Sequence, residues 1–325
     1  METADAIVIG GGPCGLAAAI AVQDIGLKPV IIEKGNIVNA IYHYPTHQTF
    51  FSTSERLSIG DIPFITENRK PKRSQALVYY REVVKRKALD VRAYEEVQTV
   101  RKSDGLFTVK TAKGSYRTPY VIIATGYYDH PNPLPVQGAD LPKVKHYFKE
   151  GHPYFEQDVL VIGGKNSAVD AAIELHKSGA RVTVSYRGEE YSSSVKPWIL
   201  PEFDGLVQKG EIGMHFCSEV ERITESEAIL SVAGDRLTVP NDFVFAMIGY
   251  HPDHRFLKEM GIGIDETTGR PLHDEETMET GVDNLFIAGV IAAGNNANEI
   301  FIENGRFHGG QIADAIARKR NLNES

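Results

Sequence analysis

Short apolar runs, rich in β-branched residues, recur along the chain, and most of them end at glycine or at a carboxylate. The first is Ala6-Ile7-Val8-Ile9, followed by Gly10, Gly11 and Gly12 and then by a small-residue stretch through Ile20. An unbroken apolar run of this length predicts a strand buried on both faces, and the small residues after it predict a helix packed closely on that strand. Lys28-Pro29-Val30-Ile31-Ile32-Glu33 predicts a second buried strand, ending in a carboxylate. Halfway along, Asp158-Val159-Leu160-Val161-Ile162 repeats the pattern, with a glycine turn, a helix through Leu175 and a further strand at Arg181-Val182-Thr183-Val184-Ser185. Residues 97–100 and 106–110 have strand character around a turn at Ser103-Asp104-Gly105. Three more apolar runs, at 120–127, 242–250 and 284–290, precede a helical tail from about 300 to 318. Strands alternating with helices predict an α/β fold with parallel sheets.

Chemistry enters at the first turn. Gly10, Gly12 and Gly15 fill the fixed positions of G-x-G-x-x-G. The first glycine permits the tight turn, the second lets backbone approach a pyrophosphate, and the third lets helix pack against strand. The helix N-terminus then offers free N–H groups and a positive dipole end to the phosphates. Glu33 lies 18 residues past Gly15, near the spacing of a carboxylate that accepts ribose hydroxyls. The strand–turn–helix–strand context supplies what the glycines alone would not.

The second start, Gly163-Gly164-Lys165-Asn166-Ser167-Ala168, departs from the fingerprint because Lys165 stands where the second glycine belongs. Its side chain either holds the pyrophosphate away or binds phosphate through the ammonium. Counting 18 residues from Ala168 reaches Tyr186, followed by Arg187. With no carboxylate there and a guanidinium beside the site, NADPH is favoured over NADH.

Composition narrows the partners. A net charge of −8 without a long basic tract argues against nucleic acid as the main ligand. The compact run Lys70-Pro71-Lys72-Arg73 reads most simply as a solvated loop, with a site for an acidic ligand as the other reading. No apolar stretch approaches the roughly 20 residues of a membrane span, and the first apolar run leads into glycine rather than a cleavage site. A soluble, cytoplasmic protein is expected. Cys14 and Cys217 form neither a disulfide framework nor a metal knuckle. His43 and His47 have i, i+4 spacing, but Tyr44-Pro45 interrupts any helix and no third ligand appears, so no metal is expected.

In this order the motifs resemble those of the two-dinucleotide-binding flavoproteins to which thioredoxin reductase belongs, over essentially the whole chain. The resemblance implies two Rossmann-like domains, the NADPH domain inserted into the FAD domain: residues 1–130 and 250–325 for FAD, and 131–249 for NADPH. It implies FAD contacts at Gly10, Gly12, Pro13, Gly15, Glu33, Lys34, Val97, Thr125, Gly126 and Gly289, and NADPH contacts at Gly163, Lys165, Asn166, Ser167 and Arg187. Two departures stand out. Val290 replaces the aspartate that most relatives place after the last glycine, and the second lobe lacks the Cys-x-x-Cys of thioredoxin reductases. No relay through a vicinal dithiol is available there.

With that motif absent, Gly-Gly-Gly-Pro-Cys14-Gly, the 163–168 turn, Ala124-Thr125-Gly126-Tyr127, Gly289-Val290-Ile291-Ala292-Ala293-Gly294 and Phe301-Ile302-Glu303-Asn304-Gly305-Arg306-Phe307 resemble the bacillithiol-disulfide reductase family. The resemblance implies NADPH-driven reduction of a low-molecular-weight disulfide through FAD, with Cys14 as candidate redox thiol. A helix N-terminus favours a thiolate, whereas an anionic pyrophosphate opposes it, so sequence leaves the sign of the shift open. A small residue tolerated in a crowded loop is the plainer reading of Cys14. Met214-His215-Phe216-Cys217 reads as a strand with Cys217 a buried, inert thiol. Tyr42, Tyr127 and Tyr128 either pack on the flavin or fill a domain junction, and Glu303 and His308 either approach the ring or lie in solvent. The expected partners are a small disulfide and further copies of the chain, with no nucleic acid or membrane. Reduction of a protein acceptor such as ferredoxin, flavin-dependent oxygen insertion and a non-catalytic redox sensor are the alternatives.

Overall fold

The computed structural model describes residues 1–296 and 298–324. Two compact units divide them. One contains residues 1–42, 48–130 and the chain from 250 onward, and the other contains residues 43–47 and 131–249.

In the first unit five parallel strands run in the order Leu285–Ile287, Val121–Ile123, Ala6–Ile9, Pro29–Ile32, Asp90–Arg92. The first four of these are buried at every residue, which is why their sequences are continuously apolar rather than alternating. Burial of each Ile or Val side chain contributes roughly 1.5–3 kcal/mol. Ala6–Ile9 pairs with Pro29–Ile32 on one side and Val121–Ile123 on the other. Connections therefore leave it in opposite directions, opening a crevice beyond its carboxyl end. A second, four-stranded sheet contains the Val97–Ser103 and Leu106–Thr111 hairpin. Asp104 and Gly105 form its turn with φ of 52° and 77°, the left-handed pair that matches the twist of the strands.

The second unit repeats the plan. Its parallel sheet has the order Ile212–His215, Arg181–Ser185, Asp158–Ile162, Phe243–Ala246, Val144–Lys145. Asp158–Ile162 is the strand flanked on both sides here, so the same kind of crevice opens beyond Ile162. An antiparallel meander of Ser218–Ile223, Glu227–Val232 and Asp235–Pro240 covers Leu160, Ile162 and Val244 through Ile223, Ala228 and Leu230.

Two expectations are corrected. The tail is two helices, Ile302–Gly305 and His308–Glu324, rather than one. The first closes in a turn at residues 306–307, where Phe307 N–H donates to the Asn304 carbonyl and the Arg306 side chain donates to the carbonyl oxygens of Glu55 and Ser58, and the next helix restarts on the Phe307 carbonyl. Cys217 is exposed, not buried. Its strand stops at His215, and Cys217 occupies a turn with φ of 48°, where its N–H donates to Gly188 and its carbonyl accepts from Ala233.

Residues 43–47 lie with the second unit although the chain on either side belongs to the first. Thr46 N–H donates to the Lys149 carbonyl at 2.9 Å. His47 Nε2 is 3.4 Å from Asp170 and Nδ1 is 3.9 Å from Glu174, both on the Asn166–Lys177 helix. Burial lowers the His47 pKa, but the bonding and charge of Asp170 and Glu174 outweigh it and the repulsion of Lys177, so the net shift is upward from 6.5. A raised folded-state pKa makes this clasp strongest below pH 6.5 and weakens it as pH rises through the higher folded value. Hydrogen exchange in residues 43–47 should therefore accelerate between about pH 6 and pH 8 beyond its intrinsic trend, and His47→Gln should abolish the excess. Identical profiles for the two proteins would refute the clasp.

Gly309 marks the closest helix approach. A β-carbon there would lie 2.7 Å from Ala18 Cα and 2.9 Å from Ala17 O, both backbone atoms that cannot swing aside. Alanine would gain about 1 kcal/mol in helix propensity, against about 1–3 kcal/mol for overpacking. Gly309→Ala should accordingly lower stability by up to about 2 kcal/mol, measured by urea unfolding.

Candidate functional site

The first crevice is built by backbone that comes too close for side chains. Gly10 has φ of 110°, and a β-carbon on it would lie 2.4 Å from the Ala124 carbonyl oxygen. One on Gly15 would lie 2.0 Å from the Gly10 oxygen. Gly10 N–H donates to Ile32 and Ala124 N–H to Ile9, which locks the turn to the strand ends. The β-position of Gly12 instead faces open space, as does that of Gly126, whose φ is 68°. Pro13 begins the Pro13–Asp24 helix, where its missing N–H costs nothing.

Glu33 is buried at the end of its strand. Its two oxygens accept from Gly11 N–H and Gly35 N–H, each at 2.7 Å. Burial pushes its pKa up, the Gly35 and Gly11 bonds pull it down, Asp129 raises it and Lys34 lowers it, and the net shift is upward. Lys34 pairs with Asp129 at 3.2 Å. Val97 opens the hairpin strand opposite Thr111, and Glu95 N–H, two residues earlier, donates to the Glu33 carbonyl. Thr125 and Gly126 follow the central strand pair and are half-buried.

This arrangement fits the pyrophosphate and ribose of a dinucleotide. The open side of Gly12 gives a pyrophosphate room to approach, and each Glu33 oxygen uses one lone pair and keeps another for a ribose hydroxyl.

Cys14 retains some exposed surface, but its sulfur is walled in by two glycines. A β-carbon on Gly289 would sit 2.9 Å from Cys14 Cβ and 3.1 Å from Sγ, and one on Gly305 would sit 3.0 Å from Sγ. Gly289 takes φ of 81° and ψ of −158°, a conformation essentially confined to glycine. Its N–H donates to His308 Nδ1 at 3.1 Å, which puts the proton of a neutral imidazole on Nε2. Burial drives both titrating groups to their neutral forms, pushing the Cys14 thiol up to about 12 and the His308 imidazole down to about 4. The sign that sequence left open is thus upward.

In the second unit Gly163 has φ of 132°, and a β-carbon there would meet the Met247 carbonyl at 2.5 Å. Lys165 and Ser167 are exposed at the start of the Asn166–Lys177 helix. Asn166 is engaged by the chain itself: Nδ2 donates to the Ser194 carbonyl at 2.7 Å, and Oδ1 accepts from Lys196 N–H at 2.9 Å. Its side chain fastens the 194–196 loop to the helix start. Arg187 is exposed. Tyr186 lies across the turn, its ring 2.3 Å from where a Gly164 β-carbon would be and 2.5 Å from that of Gly188.

Each unit thus gathers its own set: Gly10 to Gly15, Glu33, Lys34, Thr125, Gly126 and Gly289 in one, Gly163 to Ser167 with Arg187 in the other. Sequence reasoning missed the enclosure of Cys14 by Gly289 and Gly305 and the cover by Tyr186. Gly188, two residues after Tyr186, was its only sequence signal. Among the tyrosines, Tyr127 stacks on Tyr250 with centroids 6.2 Å apart, and Tyr42 lies under Arg73. Glu303 accepts from the Ser52 hydroxyl at 2.7 Å.

Comparison with known proteins bears on the same residues. The profile described as pyridine nucleotide-disulphide oxidoreductase matches residues 7–289. A protein of Bacillus subtilis (strain 168) named bacilliredoxin reductase Bdr is 67% identical over 318 residues, 97% of this chain and 98% of that one. The solved structure of bacillithiol disulfide reductase Bdr (YpdA) from Staphylococcus aureus is 59% identical with a TM-score of 0.96, covering 98% of this chain and 100% of that one. Thioredoxin reductase of T. acidophilum, 21% identical, shares the fold with a TM-score of 0.80 over 99% and 100% of the two chains. With two glycine-turn crevices and a profile match over most of its length, the chain belongs to the pyridine nucleotide-disulphide oxidoreductase family and is a flavoprotein enzyme that uses flavin and nicotinamide cofactors.

Proposed function

We propose that the protein is an FAD-dependent, NADPH-driven reductase of a low-molecular-weight thiol disulfide, with bacillithiol disulfide as its substrate. The observation that carries this reading is the first crevice: a dinucleotide cradle whose one thiol is Cys14, in a chain with no vicinal dithiol. The names of the Staphylococcus aureus and Bacillus subtilis relatives support the substrate class.

When bound, the flavin and nicotinamide supply the two electrons that a disulfide needs. The chain holds and orients. Gly12 and the first turn of the Pro13–Asp24 helix present their free backbone N–H groups to the pyrophosphate, Glu33 takes ribose hydroxyls, and Lys165 and Arg187 face the phosphates of NADPH. Cys14 Sγ attacks one substrate sulfur, so the substrate S–S bond breaks, a mixed disulfide forms, and one thiol leaves with a proton. The departing thiol carries the proton that Cys14 gives up; two electrons and two protons then release the other thiol and restore the Cys14 thiol.

With its pKa pushed up to about 12, Cys14 is a neutral thiol at pH 7. The nucleophilic role therefore requires its glycine walls to open. That same enclosure favours a second reading, in which Cys14 only fills the gap between Gly289 and Gly305 and the disulfide is reduced without a protein thiol.

Cys14→Ser separates the two readings. A loss of at least 100-fold in kcat for bacillithiol disulfide, with FAD content intact, is expected if the sulfur is nucleophilic; activity within twofold of wild type makes it a packing residue. For cofactor choice, Arg187→Gln should raise KM for NADPH about tenfold and leave that for NADH nearly unchanged. Equal effects on both would remove the 2′-phosphate role. The function itself is tested by NADPH consumption with bacillithiol disulfide, glutathione disulfide, ferredoxin and oxygen side by side. Bacillithiol disulfide should give the highest kcat/KM, and rapid turnover of ferredoxin with no disulfide turnover would overturn the reading.

A further inference from the structure

We infer that a basic strip formed by residues 48–56 and 69–73 binds the carboxylates of an anionic disulfide beside the Cys14 wall. The inference deepens the proposed disulfide reductase reading and depends on it for its substrate.

Residues 54–73 carry five cations (Arg56, Arg69, Lys70, Lys72 and Arg73) against three carboxylates (Glu55, Asp61 and Glu67), in a chain whose net charge is −8. The fold concentrates them. The two segments run antiparallel: Arg73 N–H donates to Gln48, Phe50 N–H to Pro71 and Ser54 N–H to Arg69, with Thr49 bridged to Lys72. Paired backbones lie roughly 5 Å apart, so Arg56, two residues past Ser54, and Arg69 fall at the same end of the strip. Arg69 and Lys72 are exposed, and the Arg56 side chain is 69% exposed. Arg73 is turned inward, donating to the carbonyl of Ile41, and is the cation with a structural task.

The strip is fastened to the segment that walls in Cys14. Arg56 lies 3.7 Å from Glu303, and Glu303 accepts from the Ser52 hydroxyl at 2.7 Å. Arg306 donates through Nη1 to the Glu55 and Ser58 carbonyls. Among the described residues, Arg306 Nε is buried and has no hydrogen-bond partner. Gly305, between Glu303 and Arg306 in this segment, is the residue whose β-position lies 3.0 Å from Cys14 Sγ. The cationic strip is therefore tied to the same short segment, residues 303–306, that walls in the sulfur. An uncharged disulfide would gain nothing from it; one bearing carboxylates would be drawn in and oriented by ion pairs.

The FAD-loaded protein tests this with two disulfides of opposite character, the dicarboxylate 5,5′-dithiobis(2-nitrobenzoate) and the neutral bis(2-hydroxyethyl) disulfide. In Arg69→Gln/Lys72→Gln the ratio of kcat/KM for the anionic over the neutral substrate should fall about tenfold, through KM. The decline of that ratio between about 20 and 200 mM salt should shrink in parallel. Arg56→Gln should act in the same direction, and the exposed double variant decides the matter should Arg56→Gln not fold. An unchanged ratio overturns the inference, and so does a loss confined to an acidic protein acceptor, which would make the strip a protein-docking surface. Turnover of bacillithiol disulfide judges the function reading separately, including the case in which wild-type protein turns over neither probe disulfide. The strip is then judged by equilibrium dialysis against citrate: binding that the double variant loses upholds it, and no binding overturns it.

Discussion

Three glycines define how close backbone comes to backbone in the first unit. Gly10 abuts the Ala124 carbonyl, Gly15 abuts the Gly10 carbonyl, and Gly309 abuts the backbone of Ala17 and Ala18. The Pro13–Asp24 helix is thereby pressed between its own strand and the final helix with no side chain intervening at these points. Glu33, Cys14 and Gly289 owe their places to that approach. A helix held even one methyl group further out would move the phosphate-binding N–H groups away from the carboxyl ends of the strands, and the sulfur of Cys14 out of its glycine slot.

The close packing also sets the electrostatics. Cys14 and His308 are half-buried in the same corner, and burial stabilises the neutral form of each, the thiol by a raised pKa and the imidazole by a lowered one. Glu33 meets the same penalty but is partly compensated by two backbone N–H bonds. Charge is kept to the rim, where Lys34 pairs with Asp129 and Arg56 approaches Glu303. The interior of the crevice is thus shaped by backbone dipoles and the border by side-chain ions, a division suited to gripping a dinucleotide within and a charged ligand outside.

Much of the fold was legible in sequence because the determinants were local. Continuous apolar runs at Ala6–Ile9 and Asp158–Ile162 predict strands buried on both faces, and glycine spacing predicts turns whose geometry only glycine adopts. The tail and the Cys217 segment were misread for the converse reason. Helical propensity around residue 306 is ordinary, but the helix closes in a turn at 306–307, where the Arg306 side chain is held by carbonyls some 250 positions earlier in the chain. Cys217 follows an apolar run, yet a turn closed by Gly188 and Ala233 exposes it.

The sequence by itself determined what is written in periodicity and spacing: two glycine turns at strand ends, a carboxylate 18 residues beyond the first, a tyrosine followed by arginine at that spacing beyond the second, and the absence of a vicinal dithiol. Tertiary structure alone decided how those groups behave. The protonation state of Cys14 depends on Gly289 and Gly305, and the task of Asn166 on the 194–196 loop. The basic strip exists because residues 48–56 and 69–73 pair across a sequence gap. Desolvation and hydrogen-bond partners are properties of what surrounds an atom, and those surroundings are assembled from segments that carry no mark in sequence of the neighbours they will meet.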